Sequence, residues 1–180
     1  MIYDGIKGTV RLQIMQDKGP LNPRTDQDNL GTMVCWHSRY ALGDQRPGGD
    51  PSTWYLENVT DEMVCLNLYL YDHSGISMSC EPFVGRAPHA EWDSGQVGFI
   101  VADCKRMGIS PETVLRAEVE EYDQYLQGNI LRFTVLKLCP TCKQWEEVED
   151  CGGFYSVEDL LDALDPDDRE LFEEEVRHAV

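Results

Sequence analysis

Apolar and polar residues alternate along residues 9–15, with Val10, Leu12 and Ile14 on one face and Arg11 and Gln13 on the other. A period of two over that length predicts a half-buried strand. Residues 16–30 are polar and carry two prolines, so they read as a long loop, and residues 31–37 read as a short strand. Residues 64–71 form an almost unbroken apolar run, which suits a strand covered on both faces near the middle of a sheet. Asp72-His73-Ser74-Gly75 interrupts that run with turn chemistry, and residues 76–80 return as a partner strand. Residues 97–102 are a further apolar strand, reached through a loop that holds Trp92, Asp93 and Ser94. The Gly- and Pro-rich residues 41–52 exceed an ordinary connection, and loops of that length tend to be functional or mobile.

Helical periodicity is clearest over residues 110–126. Ser110 caps, Pro111 suits the first helical position, and Glu112 favours the positive end of the helix dipole. Leu115, Val119, Tyr122 and Leu126 then share one face, Glu118, Glu120, Glu121 and Asp123 crowd the other, and Gly128 ends the helix. Residues 129–138 and 144–150 predict a hairpin with Cys139-Pro140-Thr141-Cys142 at its tip. Two short acidic helices follow Gly152-Gly153, one opened by the pair Ser156 and Asp159, the other by Asp165-Pro166. Leu160, Leu161 and Leu164 give the first an apolar face, and Leu171, Phe172 and Val176 give the second one. The elements together predict an α+β fold: a mixed or antiparallel sheet of five to seven strands, one main helix and an acidic C-terminal helical hairpin. The expected organisation is one domain over residues 1–153, with residues 154–180 appended.

Charge changes this picture most at the C-terminus. The chain carries 33 Asp and Glu against 15 Lys and Arg, a net charge of −18. Residues 146–180 alone hold 14 acids and two arginines. Such a surface repels nucleic acid and anionic lipid and attracts basic surfaces. Asp167, Glu170 and Glu174 form a row at helical spacing, and so do Glu158 and Asp162. Neighbours in such rows repel, so fixing them on helices costs stability. Their bland reading is a solvated face; the functional one is an imitation of the charge ladder that nucleic-acid-binding proteins grip. Four tryptophans without a basic groove read as core or loop-anchoring residues. The N-terminus lacks a basic region followed by an apolar core, and no segment approaches membrane-span length, so a cytoplasmic protein with mostly reduced thiols is expected.

Two constellations carry candidate chemistry. Cys139 and Cys142 have the spacing of half a zinc site. Cys151 joins them only if the intervening residues are not extended. Cys35, Cys65, Cys80 and Cys104 fall mostly on apolar strands, where a thiol is a small core residue. His37, Asp72, His73, Asp93 and Ser94 lie at strand ends, where they could hold a divalent metal or pair a base with a nucleophile. Asp72 and Asp93 also stand where turns favour Asp.

The blocks N-L-G-T-M-V-C-W-H (29–37), L-Y-L-Y-D-H-S-G-I (68–76) and W-D-S-G-Q-V-G-F-I (92–100) resemble a family of small proteins carried by phages and integrated elements of bacteria. The resemblance implies a mobile-element context in bacterial cytoplasm and supplies no reaction. In that context the acidic helices predict an inhibitor of a DNA-targeting host nuclease, a CRISPR effector or restriction system. It would bind the nuclease's basic nucleic-acid surface through Glu158, Asp162, Asp167, Glu170 and Glu174, without itself binding nucleic acid or membrane. The alternatives are a metal-dependent hydrolase built on His37, His73 and Asp93, and an accessory or scaffold protein with zinc at Cys139 and Cys142.

Overall fold

The computed structural model describes residues 1–103 and 110–180. In chain order they form β1 (Tyr3–Lys7), β2 (Val10–Gln16), α1 (Pro23–Asp26), β3 (Thr32–Cys35), α2 (Pro51–Asn58), β4 (Met63–Asp72), β5 (Ile76–Ser79), α3 (Ala90–Asp93), β6 (Ser94–Asp103), α4 (Pro111–Gln127), β7 (Leu131–Leu138), β8 (Trp145–Phe154), α5 (Val157–Ala163) and α6 (Pro166–Ala179). The fold is α+β and its pairings are antiparallel, but the strands make two four-stranded sheets in place of one larger sheet. Strand β1 and the helices α1 and α2 lie where the sequence pattern predicts no element. Each helix owes its start to a local cap. The Asn22 side chain accepts from Arg24 N, Asp50 accepts from Thr53 N, and proline follows both caps.

One compact unit consists of Met1–Leu21 together with Gly128–Val180. Its sheet has the order β1-β2-β7-β8, with β2 lying antiparallel to β7 from Val10 opposite Lys137 to Gln16 opposite Leu131. The inward positions Leu12, Ile14, Phe133 and Val135 meet Leu160, Leu161, Leu164, Phe172 and Val176 in one core. The boundary expected at 153/154 thus falls inside this unit, because α5 and α6 bury their apolar faces on the sheet. Leu171, expected on that face, is 43% exposed. Ser156 caps α5 by accepting from Asp159 N, and Asp165 caps α6 by accepting from Asp167 N.

The second unit is Asn22–Gln127. Its sheet has the order β3-β6-β4-β5, which puts the apolar run of β4 in an interior position. Helix α4 packs Leu115, Val119 and Tyr122 against Met33, Leu68, Leu70, Met78 and Ile100. Gly98 is required where β6 passes β3, since a Cβ there would sit 2.0 Å from the Val34 carbonyl oxygen. Gly128, with φ of 71°, follows α4 in the left-handed region expected of it. The acids of α4 are not all solvated. Asp123 accepts from Ser77 Oγ at 2.8 Å and from Met78 N at 2.6 Å. Glu118 faces Arg24.

Arg24, 6% exposed, uses every N–H of its guanidinium. Nε and Nη2 donate to the two Asp44 oxygens at 2.9 and 2.5 Å. Nη1 donates to Asn29 Oδ1 and Glu118 Oε2, each at 2.8 Å, and Nη2 also donates to the Gly31 carbonyl at 2.7 Å. Burial disfavours this charge, and the hydrogen bonds of Asp44 and Glu118 outweigh that cost, so its pKa lies above the ordinary arginine value. Removing one partner from a buried ion network typically costs about 3–5 kcal/mol, and the partial exposure of Asp44 sets the expectation near the lower end. Arg24→Met should therefore destabilise this unit by about 3 kcal/mol. Urea denaturation followed by tryptophan fluorescence checks it, because Trp36, Trp54 and Trp92 belong to this unit and Trp145 to the other. A loss under about 1 kcal/mol, the worth of an ordinary hydrogen bond, would deny the network this role.

Candidate functional site

The acidic helices are held rigidly. Phe172 and Val176 are fully buried, and Glu175 accepts from the Tyr3 hydroxyl at 3.0 Å and pairs with Lys7. Burial, then the Glu175 hydrogen bond, pushes the Tyr3 phenol up to about 12. Asp168 is buried 3.6 Å from Lys137 Nζ. Arg169 pairs with Asp162 and lies 3.4 Å from Glu173, and Arg177 lies 2.8 Å from Glu158. The five acids expected to meet a partner therefore divide. Glu158 and Asp162 are exposed but already paired with arginine. Asp167, Glu170 and Glu174 are exposed and make no ion pair among the described residues. At 1.5 Å per residue these three follow one another at about 4.5 and 6 Å along the axis of α6. Phosphates along one strand of DNA rise about 3.4 Å each. The row matches such a ladder in sign and order, with a coarser step.

At the β7–β8 hairpin tip, Cys139 N donates to the Gln144 carbonyl at 2.9 Å and Lys143 N donates to the Cys139 carbonyl at 3.0 Å. Lys143 closes the turn with φ of 59°. Beyond it Trp145 pairs with Leu138 and Glu146 with Lys137. Among the described residues, one group of three or more His, Cys, Asp and Glu side chains brings its ligand atoms within 4.8 Å of one another: Cys139, Cys142 and Glu146. The sequence reading missed Glu146. Its signal lay in the hairpin period, because positions 137, 139, 144 and 146 share a face once 138 pairs with 145. Strand β8 is extended and sets Cys151 opposite Phe133, well away from the tip. The backbone hydrogen bond at Gln144, followed by the one from Cys139, holds the Cys142 thiol below its usual pKa.

The polar strand ends of the other unit gather at an open depression of about 460 Å³, lined in part by Trp36, His37, Arg39, Asp72, Asp93 and Ser94. His73 Nδ1 lies 2.8 Å from Asp93 Oδ2, and the His73 ring stacks on Tyr71 and His89. The rest of the set is engaged elsewhere. His37 Nδ1 accepts from Arg39 N at 3.3 Å and Tyr40 N at 3.2 Å, which in the neutral ring places the proton on Nε2 and leaves no lone pair for a metal. Asp72 accepts from the Tyr40 hydroxyl at 3.1 Å and pairs with Arg39 at 3.0 Å. Ser94 Oγ donates to the Ala90 carbonyl at 2.6 Å, so its proton does not face His73. Trp92 is 87% exposed and anchors nothing, unlike Trp36 and Trp54, which pack edge-on to one another and onto Phe99.

Of the remaining described cysteines, Cys35 is a core thiol, Cys65 and Cys80 are half-buried and Cys151 is exposed. Burial pushes Cys35 up to about 12 and Cys65 up to about 11, and raises Cys80 as well. Cys104 lies outside the described residues. The thiolate is the reactive form, so among Cys35, Cys65, Cys80 and Cys142 the exposed Cys142 should be alkylated first by iodoacetamide at neutral pH, and Cys35 last. Timed labelling of the reduced native protein, read by peptide mass spectrometry, checks that order; Cys35 reacting as fast as Cys142 would contradict it.

No family model, no curated protein and no solved structure matches this chain.

Proposed function

We propose that this chain is a stoichiometric binding protein that offers the anionic row of α6 to the basic nucleic-acid-binding surface of another protein. The target class is a DNA-targeting nuclease of a bacterial defence system, a CRISPR effector or a restriction enzyme. Such an enzyme holds nucleic acid in a positively charged channel. The phage and prophage setting rests on the resemblance of the three sequence blocks.

The observation that supports this reading is the state of Asp167, Glu170 and Glu174. Arg169 pairs with Asp162 and Glu173, Arg177 with Glu158, Lys137 with Asp168 and Lys7 with Glu175, and these three remain exposed without an ion pair among the described residues. A helix fixed by buried Phe172 and Val176 holds them in place, so a partner's cations meet charges whose positions cost little further ordering. The hydrolase reading has weaker support, since His37 Nδ1 and Ser94 Oγ are engaged with the backbone.

The test uses the variant D167N/E170Q/E174Q. Immobilised parent protein should retain a basic nuclease from bacterial lysate at low salt and release it at high salt, as the Debye length shrinks to about 3 Å at 1 M ionic strength. The variant should keep a melting temperature near the parent's, because relief of like-charge repulsion offsets the loss of the Asp167 charge from the first turn of α6, where the helix dipole favours it. Its affinity for the captured nuclease should fall about tenfold or more, given that hydrogen bonds to charged groups are each worth about 1.5–3 kcal/mol. Duplex DNA added first should protect the nuclease. Undiminished binding by the variant, or a ternary complex with DNA, would overturn the proposal.

A further inference from the structure

The β7–β8 tip carries more than the cysteine pair. Cys139 leaves the end of β7 on the face that Glu146 occupies at the start of β8, and Cys142 comes back across the turn to meet both. Lys137 stands directly opposite Glu146 in the ladder, yet its ammonium group is directed to Asp168, 3.6 Å away. Glu146 therefore makes no ion pair among the described residues, although a lysine is its cross-strand neighbour. Two sulfurs and a carboxylate oxygen converge at one point on an exposed turn, with the cation best placed to neutralise them turned aside.

We propose that Cys139, Cys142 and Glu146 form a three-ligand site for a thiophilic divalent cation, zinc by chemistry, with water as the fourth ligand. The donor set decides the metal. Thiolates select zinc over magnesium or calcium, and one carboxylate is compatible with a tetrahedral zinc ion. Zinc–sulfur bonds of about 2.3 Å and zinc–oxygen bonds of about 2.0–2.2 Å put ligand atoms about 3.5–3.8 Å apart in a tetrahedron. The three atoms already lie within 4.8 Å, so side-chain rotation of about 1 Å completes the site without moving the strands. Binding releases the thiol protons and converts two thiols and a carboxylate into a cluster of net charge −1. The backbone is prepared as well, since the two hydrogen bonds that close residues 139–144 fix the spacing of the sulfurs before any ion arrives. This inference does not rest on the proposed binding function of α6, which stands or falls separately.

Full-length protein, reduced and stripped with a chelator, is titrated with Co2+ as an optical probe of thiolate ligation and then with Zn2+ in competition. One equivalent of Co2+ should bind, giving a thiolate-to-cobalt charge-transfer band and the intense ligand-field bands of tetrahedral cobalt; Zn2+ should displace it and raise the melting temperature. C139S and C142S should each weaken that band and reduce affinity at least about tenfold, whereas E146Q should keep it, shift the ligand-field bands and reduce affinity by a similar factor. E147Q, at the neighbouring exposed position facing the other way, should bind as the parent does. Failure to bind one saturable equivalent overturns the site. So does C139S or C142S binding like the parent. E146Q with the parent's spectrum and affinity, or half an equivalent per chain with four thiolates drawn from two copies, removes Glu146 from the ligand set and overturns the three-ligand assignment.

Discussion

The unit from Asn22 to Gln127 depends on one buried cation. Arg24 reaches the 41–50 loop through Asp44, the start of β3 through the Gly31 carbonyl, and α4 through Glu118. Both carboxylates are bound a second time. Glu118 accepts from Leu30 N at 2.8 Å and Gly31 N at 3.1 Å, and Asp44 accepts from Met33 N at 2.7 Å. A planar guanidinium with five donors can hold three segments in fixed orientation, and a lysine cannot. The long Gly- and Pro-rich loop is thereby explained as structure, since Asp44 N also donates back to the Met33 carbonyl and Gln45 bridges to Val34. Residues Asn29, Leu30 and Gly31 of the first sequence block line the grip around Arg24 and Glu118. A motif that looks functional in sequence is here occupied with satisfying a charge.

How much of this was legible varies with the distance over which each feature is decided. Local decisions were readable: the inward set Val10, Leu12 and Ile14, the apolar run of β4, the face of α4 and the caps Ser156 and Asp165 all follow from residues within a turn or two. Sheet membership was not, because β2 pairs with β7 across more than a hundred residues and no local pattern states that. The chain leaves the first unit after β2 and re-enters it at β7, so both ends of the sequence build one core around Phe133 and Phe172. The roles of Glu118 and Asp123 were out of reach for the same reason. Their partners, Arg24 and the start of β5, are remote in sequence, and an acid on a helix looks solvated until its partner is known. Of the candidate sites, the cysteine spacing was plain, and Glu146 was hidden by the register of a hairpin.

The two acidic surfaces of the first unit answer to different physical needs. Strand β8 lies at the edge of the sheet β1-β2-β7-β8, with unpaired backbone groups that another strand could join. Exposed Glu146 and Glu147 on that edge oppose such pairing by repulsion. Helix α6 has no such exposed ladder, because its backbone groups bond within the helix. Its acids repel one another and gain nothing from each other's company. Arg169 and Arg177 relieve part of that repulsion by pairing with Asp162, Glu173 and Glu158, which shows that the helix accommodates neutralising partners. The stripe of Asp167, Glu170 and Glu174 has none among the described residues. Asp167 lies in the first turn of α6, where the positive end of the helix dipole favours its charge, whereas Glu170 and Glu174 lie further along and have no such compensation within the helix.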